Sequence, residues 1–270
     1  MLATWRLEVM PFASVEPQLA GLARGDTVTV TCSPRHGVDH TLSFCERWAK
    51  RGLDVVPHVA ARMVTDREHV ERIATRLRAM GIAELFVIGG DQRPPLGRYA
   101  SARELMDALA PLVPGVSIGV PGYPEGHPSI SAGRLLDELA AKQDLASSIV
   151  TQLCFDPAAI AGWLRSIRAA GITLPVLVGV PGVVDRRRLL GLSTRIGVGA
   201  STRYLRKNLR LATRLFAQAS FEPGALVDAL AAAALDPASG IEGLHVFTFN
   251  QVAATVAWRR ARLTEEIVDA

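Results

Sequence analysis

The stretch Glu84-Leu-Phe-Val-Ile-Gly-Gly90 decides the fold, because it is a short apolar run ending in turn residues and the chain contains eight such runs. Almost every run is followed by a stretch with helical periodicity. Strand alternating with helix produces parallel strands, and eight such units close a barrel. We therefore predict an α/β fold, a single (β/α)8 TIM barrel. The eight runs are Arg6-Leu-Glu-Val-Met-Pro11, Thr27-Val-Thr-Val-Thr31, Asp54-Val-Val-Pro-His-Val59, Glu84-Leu-Phe-Val-Ile-Gly-Gly90, Val116-Ser-Ile-Gly-Val-Pro-Gly122, Ser148-Ile-Val-Thr-Gln152, Pro175-Val-Leu-Val-Gly-Val180 and Leu244-His-Val-Phe-Thr-Phe-Asn250.

Polar side chains lie in and just beyond the carboxyl ends of these runs. In a (β/α)8 barrel the chemistry sits at that end, because the strand ends and the loops that follow them meet there. We expect these side chains to form one site at the barrel mouth. They are Glu8, Thr31, His58, Asp91, Tyr123, Gln152 and Asn250.

The length and composition of the chain agree with a single domain that has one large hydrophobic core. A chain of 270 residues has the ordinary size of one barrel, so residues 1–270 are predicted to form a single domain. Hydrophobic residues make up 49%, which suits a large core. No run approaches the roughly 18 apolar residues of a membrane span. The N-terminus lacks a charged head followed by an apolar signal core, so a cytoplasmic location without a membrane partner is expected.

The stretches between the runs show the period of amphipathic helices. Asp66 precedes one of them and Asp156-Pro157 opens another, as residues at a helix start do. The seventh unit is irregular, and we predict extra helices before the eighth strand. The helices predicted for this region and for the C-terminus cover residues 186–192, 202–219, 223–235 and 251–270.

The cysteines and paired histidines do not indicate a metal site. Cys32, Cys45 and Cys154 lack CxxC spacing, which argues against a disulfide framework or a zinc site. His36 and His40 are four residues apart, but they lie in a glycine-containing loop with only Asp39 between them. No metal is therefore expected.

The net charge of +4 is modest, and one local concentration of basic residues has helical spacing. It is either a solvated helix surface or an anchor for an anionic substrate tail or cofactor phosphate. No interleaved aromatic and basic pattern indicates nucleic acid. The residues of this basic face are Arg203, Arg206, Lys207, Arg210 and Arg214.

Glu8 is an acidic residue in the middle of an apolar strand. Strand alternation points it into the barrel, on the side opposite to Leu7 and Val9. Burial there favours the protonated carboxyl group, which a general acid requires. The alternative is a structural carboxylate paired with an interior basic group.

Other candidates differ in how specific their signals are. Asp91 follows two glycines at a strand end, and His58 closes a strand with no partner spacing that indicates a metal. The segment Tyr123-Pro-Glu-Gly-His-Pro128 is more specific, because two prolines fix the backbone around a Tyr, a Glu and a His. Gln152 offers a side-chain amide that suits a heterocycle edge carrying both a donor and an acceptor.

These segments resemble the 5,10-methylenetetrahydrofolate reductase family. Tyr123-Pro-Glu-Gly-His-Pro128 is similar to the family's YPExHP, and Thr151-Gln-Leu-Cys-Phe-Asp156 is similar to its TQxxFD. The strand containing Glu8 resembles the family's strand with the catalytic glutamate. Pro57-His58 and His245-Val-Phe-Thr-Phe-Asn250 resemble its PH and HxYTLN motifs, and all matches occur in the family's order.

The resemblance implies roles for single residues. Glu8 would be the general acid that opens the folate ring to an iminium cation, and Asp91 would stabilise that cation. Gln152, Tyr123 and Asn250 would bind the substrate, a tetrahydrofolate derivative that is reduced to the 5-methyl form. The positions implied for cofactor binding are Thr31, His58, Gly90, His127 and Lys142.

The sequence departs from the family where FAD binds. The family's Arg-Gly-Asp becomes Gly89-Gly90-Asp91, and its flavin-contacting Asp and Asn fall on Leu135 and Glu138. Two further departures lie outside the flavin contacts. Residues 186–196 lack the aromatic residue that sandwiches substrate in the family, with Leu192 nearest its place, and Gln251 replaces the arginine that follows strand eight.

We therefore expect that FAD is not tightly bound and that a nicotinamide nucleotide, NADH or NADPH, delivers hydride directly. One alternative is an FAD enzyme with substituted contacts such as Arg62 or Arg93. A further alternative is a non-catalytic folate- or nucleotide-binding barrel, or one that transfers a methyl group.

Overall fold

The computed structural model describes residues 5–185 and 220–268, and eight of its strands close a parallel barrel in the order β1-β10-β7-β6-β5-β4-β3-β2. The predicted (β/α)8 barrel is confirmed. β8 and β9 pair with each other in an antiparallel manner, separately from the barrel. The strands are β1 (Trp5–Val9), β2 (Thr27–Val30), β3 (Asp54–Ala60), β4 (Glu84–Ile88), β5 (Ser117–Gly122), β6 (Ser148–Thr151), β7 (Val176–Pro181), β8 (Val184–Asp185), β9 (Ser220–Phe221) and β10 (Ile241–Phe247).

Helices follow the barrel strands. They are α1 (Glu16–Leu19), α2 (Gly37–Ala49), α3 (Arg67–Met80), α4 (Ala102–Leu109), α5 (Ala132–Ala140), α6 (Pro157–Ala169), α7 (Gly224–Ala234) and α8 (Val252–Val268). Short 3-10 segments cover Ala13–Val15, Ala61–Met63, Ala110–Leu112 and Pro237–Ser239.

The predicted helix starts are confirmed. The Asp66 carboxylate accepts a hydrogen bond from the backbone N–H of His69, and the Asp156 carboxylate accepts one from Ala158. These bonds satisfy backbone donors that the first turn of a helix leaves open.

The irregular region before β10 agrees with the prediction as far as it is described. The helix predicted at residues 223–235 is α7, and the terminal helix is α8. The helices predicted at residues 186–192 and 202–219, the basic face from Arg203 to Arg214 and the position of Leu192 lie outside the described residues. Among the described residues, no helix is long and apolar enough to cross a membrane.

The eighth barrel strand differs in its limits from the prediction. We expected residues 244–250, whereas β10 covers Ile241–Phe247 and the chain then turns. Phe249 and Asn250 have positive φ angles of 50° and 62°. The sequence prediction placed this boundary too late. Apolar residues that alternate along the chain indicate a strand, and Phe249 continues that alternation although its backbone is left-handed.

The barrel separates an apolar outer layer from a largely polar interior. The outward side chains of the strands pack against the helices in one large core. Inside the barrel, Val56, Phe86, Val150 and Leu177 form a small apolar cluster. Arg6 and Glu84 form an ion pair towards the amino-terminal ends of β1 and β4. The polar interior is unusual for a barrel core and positions the site described below.

Candidate functional site

Glu8 lies at the carboxyl end of β1 and faces the inside of the barrel, as the alternation of the strand predicts. It is in register with Thr29 of β2 and Phe247 of β10. Its Oε2 atom lies 3.0 Å from Nε2 of His245, and its side chain is 17% exposed. The carboxyl group is therefore held by an imidazole while part of it remains accessible from the mouth.

His58 of β3 completes a group of three ionisable side chains. Its Nε2 atom lies 3.9 Å from the same Glu8 oxygen, and its ring centroid lies 6.4 Å from that of His245. Phe86 packs on His58 with ring centroids 4.7 Å apart, and Phe247 packs edge-on against His245. Aromatic rings thus exclude water from the inner side of both histidines.

His58 lies in a part of the barrel from which water is excluded. The pKa of His58 is lowered to about 4, mainly by burial; the Glu8 carboxylate partly opposes this effect and the nearby His245 ring adds to it. The His58 ring is therefore neutral near pH 7. Its Nε2 atom is buried without a hydrogen-bond partner in the described part of the chain.

Asn250 is buried beside the end of β1. Its Oδ1 atom accepts a hydrogen bond from Met10 N at 2.8 Å, and its Nδ2 atom donates one to Met10 O at 3.0 Å. This side chain therefore clamps the backbone just after Glu8. The structure brings Asn250 to the mouth as expected, but its amide faces the protein backbone.

Asp91 and Tyr123 lie on neighbouring loops of the mouth. Asp91 is exposed, which differs from the buried carboxylate that its implied role suggests, because Gly89 and Gly90 carry the chain beyond the end of β4. Burial raises the pKa of Tyr123, and the Asp91 carboxylate adds to this. The ring of His127 stands edge-on to Tyr123 with centroids 5.3 Å apart.

Gln152 follows β6 and is fixed by backbone contacts. Its N–H donates to Gly122 O at 2.7 Å, which ties it to the end of β5. Its side-chain Oε1 accepts from Leu153 N at 2.9 Å. The amide thus has a defined orientation at the mouth, next to the strand that leads to Tyr123.

The remaining predicted cofactor positions lie around the same mouth. Thr31 follows β2, and its N–H donates to Val9 O at 3.0 Å. Gly90 has a φ of +83°, and an added Cβ would lie 3.0 Å from the Cβ of Ala60, so the position requires glycine. Lys142 is buried after α5, and burial lowers its pKa.

A family model described as methylenetetrahydrofolate reductase matches residues 20–197. The chain belongs to the methylenetetrahydrofolate reductase family. The matched residues include Asp91, Tyr123 and Gln152, whereas Glu8 and His245 lie outside them.

Relatives and solved structures agree with the family and the fold. Methylenetetrahydrofolate reductase 1 of Schizosaccharomyces pombe is 40% identical over 65 residues, which are 23% of this chain and 11% of that protein. The matched stretch therefore spans about a tenth of the curated relative's length. A phosphonopyruvate hydrolase has a TM-score of 0.53 at 10% identity, covering 98% of this chain and 82% of that chain. A putative lyase/mutase from Burkholderia cenocepacia J2315 has a TM-score of 0.51 at 13% identity, covering 98% and 80%. These two similarities concern the fold alone.

Gly89 and Glu138 are two of the positions at which we expected the chain to differ from the family's flavin site. A Cβ at Gly89 would have no atom within 4 Å, so this position offers space but no side chain. The Glu138 carboxylate acts on Lys142, raising the pKa that burial lowers, and it also lies 3.8 Å from Arg134. A negative charge therefore stands beside the buried lysine.

His245 lies in a segment that resembles a family motif, but the sequence alone predicted no role for it. The signal was present, because His245 interrupts an apolar strand in the same way as Glu8 does. Alternation on β10 places His245 and Phe247 on the inward face. Thr248 and Gln18 were also missed, and their contacts could not be found from sequence because they join segments more than 200 residues apart.

Proposed function

We propose that this protein reduces 5,10-methylenetetrahydrofolate to 5-methyltetrahydrofolate, with Glu8 as the general acid and NADH or NADPH as the direct hydride donor. The observation that supports it most is the Glu8–His245 pair at the barrel mouth. The Glu8 carboxyl group is held by His245 and is still 17% exposed, so it remains within reach of a substrate bound at the mouth, which a purely structural pair does not require. The proposal places the reaction in the cytoplasm.

In the proposed reaction, Glu8 supplies the proton and the nicotinamide nucleotide supplies the hydride. Glu8 gives its proton to N10 of the folate, the bond between N10 and the bridging carbon breaks, and a cationic iminium forms at N5. The nicotinamide then transfers hydride to the methylene carbon, giving the methyl product and the oxidised nucleotide. Glu8 regains a proton from solvent, and His245 is placed to hold that proton with it.

Other mouth residues supply binding and charge. The Asp91 carboxylate would stabilise the cation by charge complementarity once substrate covers it. Gln152 and Tyr123 would contact the pterin. The Asn250 amide already bonds Met10, so it would contact the pterin only with its second N–H or with the second lone pair of its oxygen. These roles follow the family resemblance and remain proposals.

The residues do not fit a tightly held FAD. Gly89 supplies no guanidinium for a phosphate, and Glu138 places a carboxylate where an anion would approach Lys142. Arg62, a candidate substitute, donates from Nε to Ala100 O at 2.9 Å, which fixes the position of its guanidinium and leaves its Nη atoms as donors. We infer that Thr31, His58, Gly90, His127 and Lys142 line the place of the nicotinamide nucleotide instead.

The test is a visible absorption spectrum of freshly purified protein, followed by NADH and NADPH oxidation with methylenetetrahydrofolate, without and then with added FAD. The proposal expects a colourless protein that turns over without flavin. A yellow protein whose activity disappears on flavin removal would establish the FAD alternative. Folate binding without turnover in every condition would favour a non-catalytic barrel.

A further inference from the structure

The turn that follows β10 holds the backbone of the proposed general acid. We define the clamp turn as residues 248–250. Within it, the Thr248 hydroxyl donates to the backbone carbonyl of Glu8 at 2.6 Å, and the Thr248 N–H reaches the same oxygen at 3.3 Å. Thr248 is completely buried. The carbonyl of Glu8 is therefore fixed by two donors from one residue.

The clamp turn also holds the backbone two residues further on. Asn250 contacts both the N–H and the carbonyl of Met10 through its side-chain amide, at 2.8 and 3.0 Å. Its own N–H donates to the Thr248 hydroxyl at 3.1 Å. Thr248 and Asn250 thus form one connected network with the segment from Glu8 to Met10.

The backbone of the clamp turn is left-handed at two residues, one of which is a phenylalanine. Phe249 and Asn250 are both left-handed, and this region is uncommon for a bulky residue such as phenylalanine. Gln18 of α1 supports the conformation from outside. Its Nε2 donates to Asn250 O at 2.8 Å, and its Oε1 accepts from Ala253 N at 3.2 Å.

β10 and the clamp turn that follows it therefore hold Glu8 at two places. His245 of β10 contacts the carboxyl group at 3.0 Å, and Thr248 of the clamp turn contacts the carbonyl of the same residue. With its carboxyl group and its backbone both held by this continuous segment, Glu8 has little freedom to move relative to the mouth. A general acid requires such a fixed position, because proton transfer depends on the separation of the reacting atoms.

We propose that Thr248 and Asn250 are positioning residues that fix the Glu8 carboxyl group against His245. The inference rests on the proposed function of Glu8 and gives Asn250 a role other than substrate binding. It predicts that breaking the clamp changes the chemical step and leaves folate affinity in place.

The kinetic test uses variants of nearly equal size. Thr248→Val removes the hydroxyl and should lower kcat about 10- to 100-fold, with KM for the folate within about twofold. Thr248→Ser keeps the hydroxyl and should restore most of kcat. Thr255→Val is the matched control, because the equally buried Thr255 hydroxyl donates to the local carbonyl of Gln251, just before α8, at 3.0 Å. It should retain wild-type kinetics.

Asn250→Ala decides between positioning and substrate binding. Positioning predicts a fall in kcat with little change in KM. A rise in KM for the folate with kcat unchanged would overturn the inference, as would wild-type kcat in Thr248→Val.

A second readout does not depend on reductase activity. Side-chain ¹H–¹⁵N spectra of the histidines report the state of the His245 ring, assigned with a His245→Asn variant. Thr248→Val should move the His245 nitrogen shifts towards those of Glu8→Ala, whereas Thr248→Ser and Thr255→Val should retain wild-type shifts. Unchanged His245 shifts in Thr248→Val would overturn the clamp. If the wild type lacks reductase activity but the shifts move as expected, the proposed function fails while the clamp stands.

Discussion

The two sides of the barrel mouth differ in how firmly the fold holds them. The acid side, defined as Glu8, His58 and His245, lies on barrel strands whose register fixes each side chain. The loop side, defined as Gly89, Glu138 and Lys142, lies on a loop and near a helix end. On the acid side, His245 contacts the Glu8 carboxyl group at 3.0 Å and His58 lies 3.9 Å from it, whereas on the loop side Gly89 supplies no side chain.

Under the proposed function, the acid and the cofactor site change independently in one barrel. A substitution on a strand disturbs the packed interior, while a substitution on a loop is tolerated because few contacts depend on it. The proposal therefore keeps the acid of the family in place and changes the hydride donor. The following predictions test this separation.

The largest effect is expected on the acid side. Glu8→Gln keeps the size of the side chain but removes the proton donor, so turnover should fall about 10²- to 10⁴-fold while folate binding changes little. Steady-state kinetics and a fluorescence or calorimetric folate titration measure the two quantities.

Glu84→Gln is the matched control for this prediction, since Glu84 is also an interior carboxylate but pairs with Arg6 at the other end of the barrel. It should lower stability and retain turnover. Wild-type turnover in Glu8→Gln would remove the basis of the proposed mechanism.

The next effect concerns the loop side. Gly89→Arg restores a guanidinium where the space is open, and a charged hydrogen bond worth about 1.5–3 kcal/mol should tighten FAD binding roughly 10- to 150-fold. Flavin fluorescence quenching gives the Kd.

Gly90→Arg makes the same change one residue later, where φ is +83° and Ala60 is 3.0 Å from the added Cβ. This control should destabilise the fold and gain no flavin affinity. Equal FAD affinity in the wild type and Gly89→Arg would mean that the missing arginine does not explain the weak FAD binding that we expect.

The third prediction tests how strongly burial on the acid side lowers the pKa of His58. The pKa of His58 lies at about 4 in the folded protein and at an ordinary value of 6.5 when unfolded, so the unfolded chain takes up the proton first as pH falls. Stability is therefore lost on acidification between about pH 6.5 and 4. Going from pH 7 to 5 should cost about 2 kcal/mol through this group.

Urea unfolding of the wild type and His58→Phe at both pH values measures this contribution, which the variant should lack. Val56→Ala on the same inner face of β3 has no titrating group, so it should lower stability by similar amounts at both pH values. An identical pH dependence in His58→Phe and wild type would show that His58 is not responsible.

The smallest effect is expected from Glu138. Glu138→Asn removes the carboxylate that acts on Lys142 and should improve FAD affinity a few-fold, because partly exposed charges contribute about 0.2–1 kcal/mol. Asp137→Asn removes an exposed carboxylate from the same helix and should change nothing. Equal gains from both variants would point to net charge in place of a specific contact.

The sequence predicted the barrel and the strand bearing each mouth residue well, because strand alternation and helix period are local signals. It also found Glu8, through an acid in an apolar strand. It could not find the partners of Glu8. His245 and Thr248 reach Glu8 only when the first and last barrel strands pair, and the exposure of Asp91 depends on how far Gly89 and Gly90 carry the loop.

The most direct test of direct hydride transfer is a single turnover of flavin-free protein with methylenetetrahydrofolate and NADH or NADPH deuterated at C4 of the nicotinamide, each face labelled in turn. The account predicts that one label arrives in the product methyl group without dilution and that the reaction in D₂O with unlabelled nucleotide gives an unlabelled methyl group. Solvent deuterium in the methyl group, or transfer only after FAD is added, would contradict it.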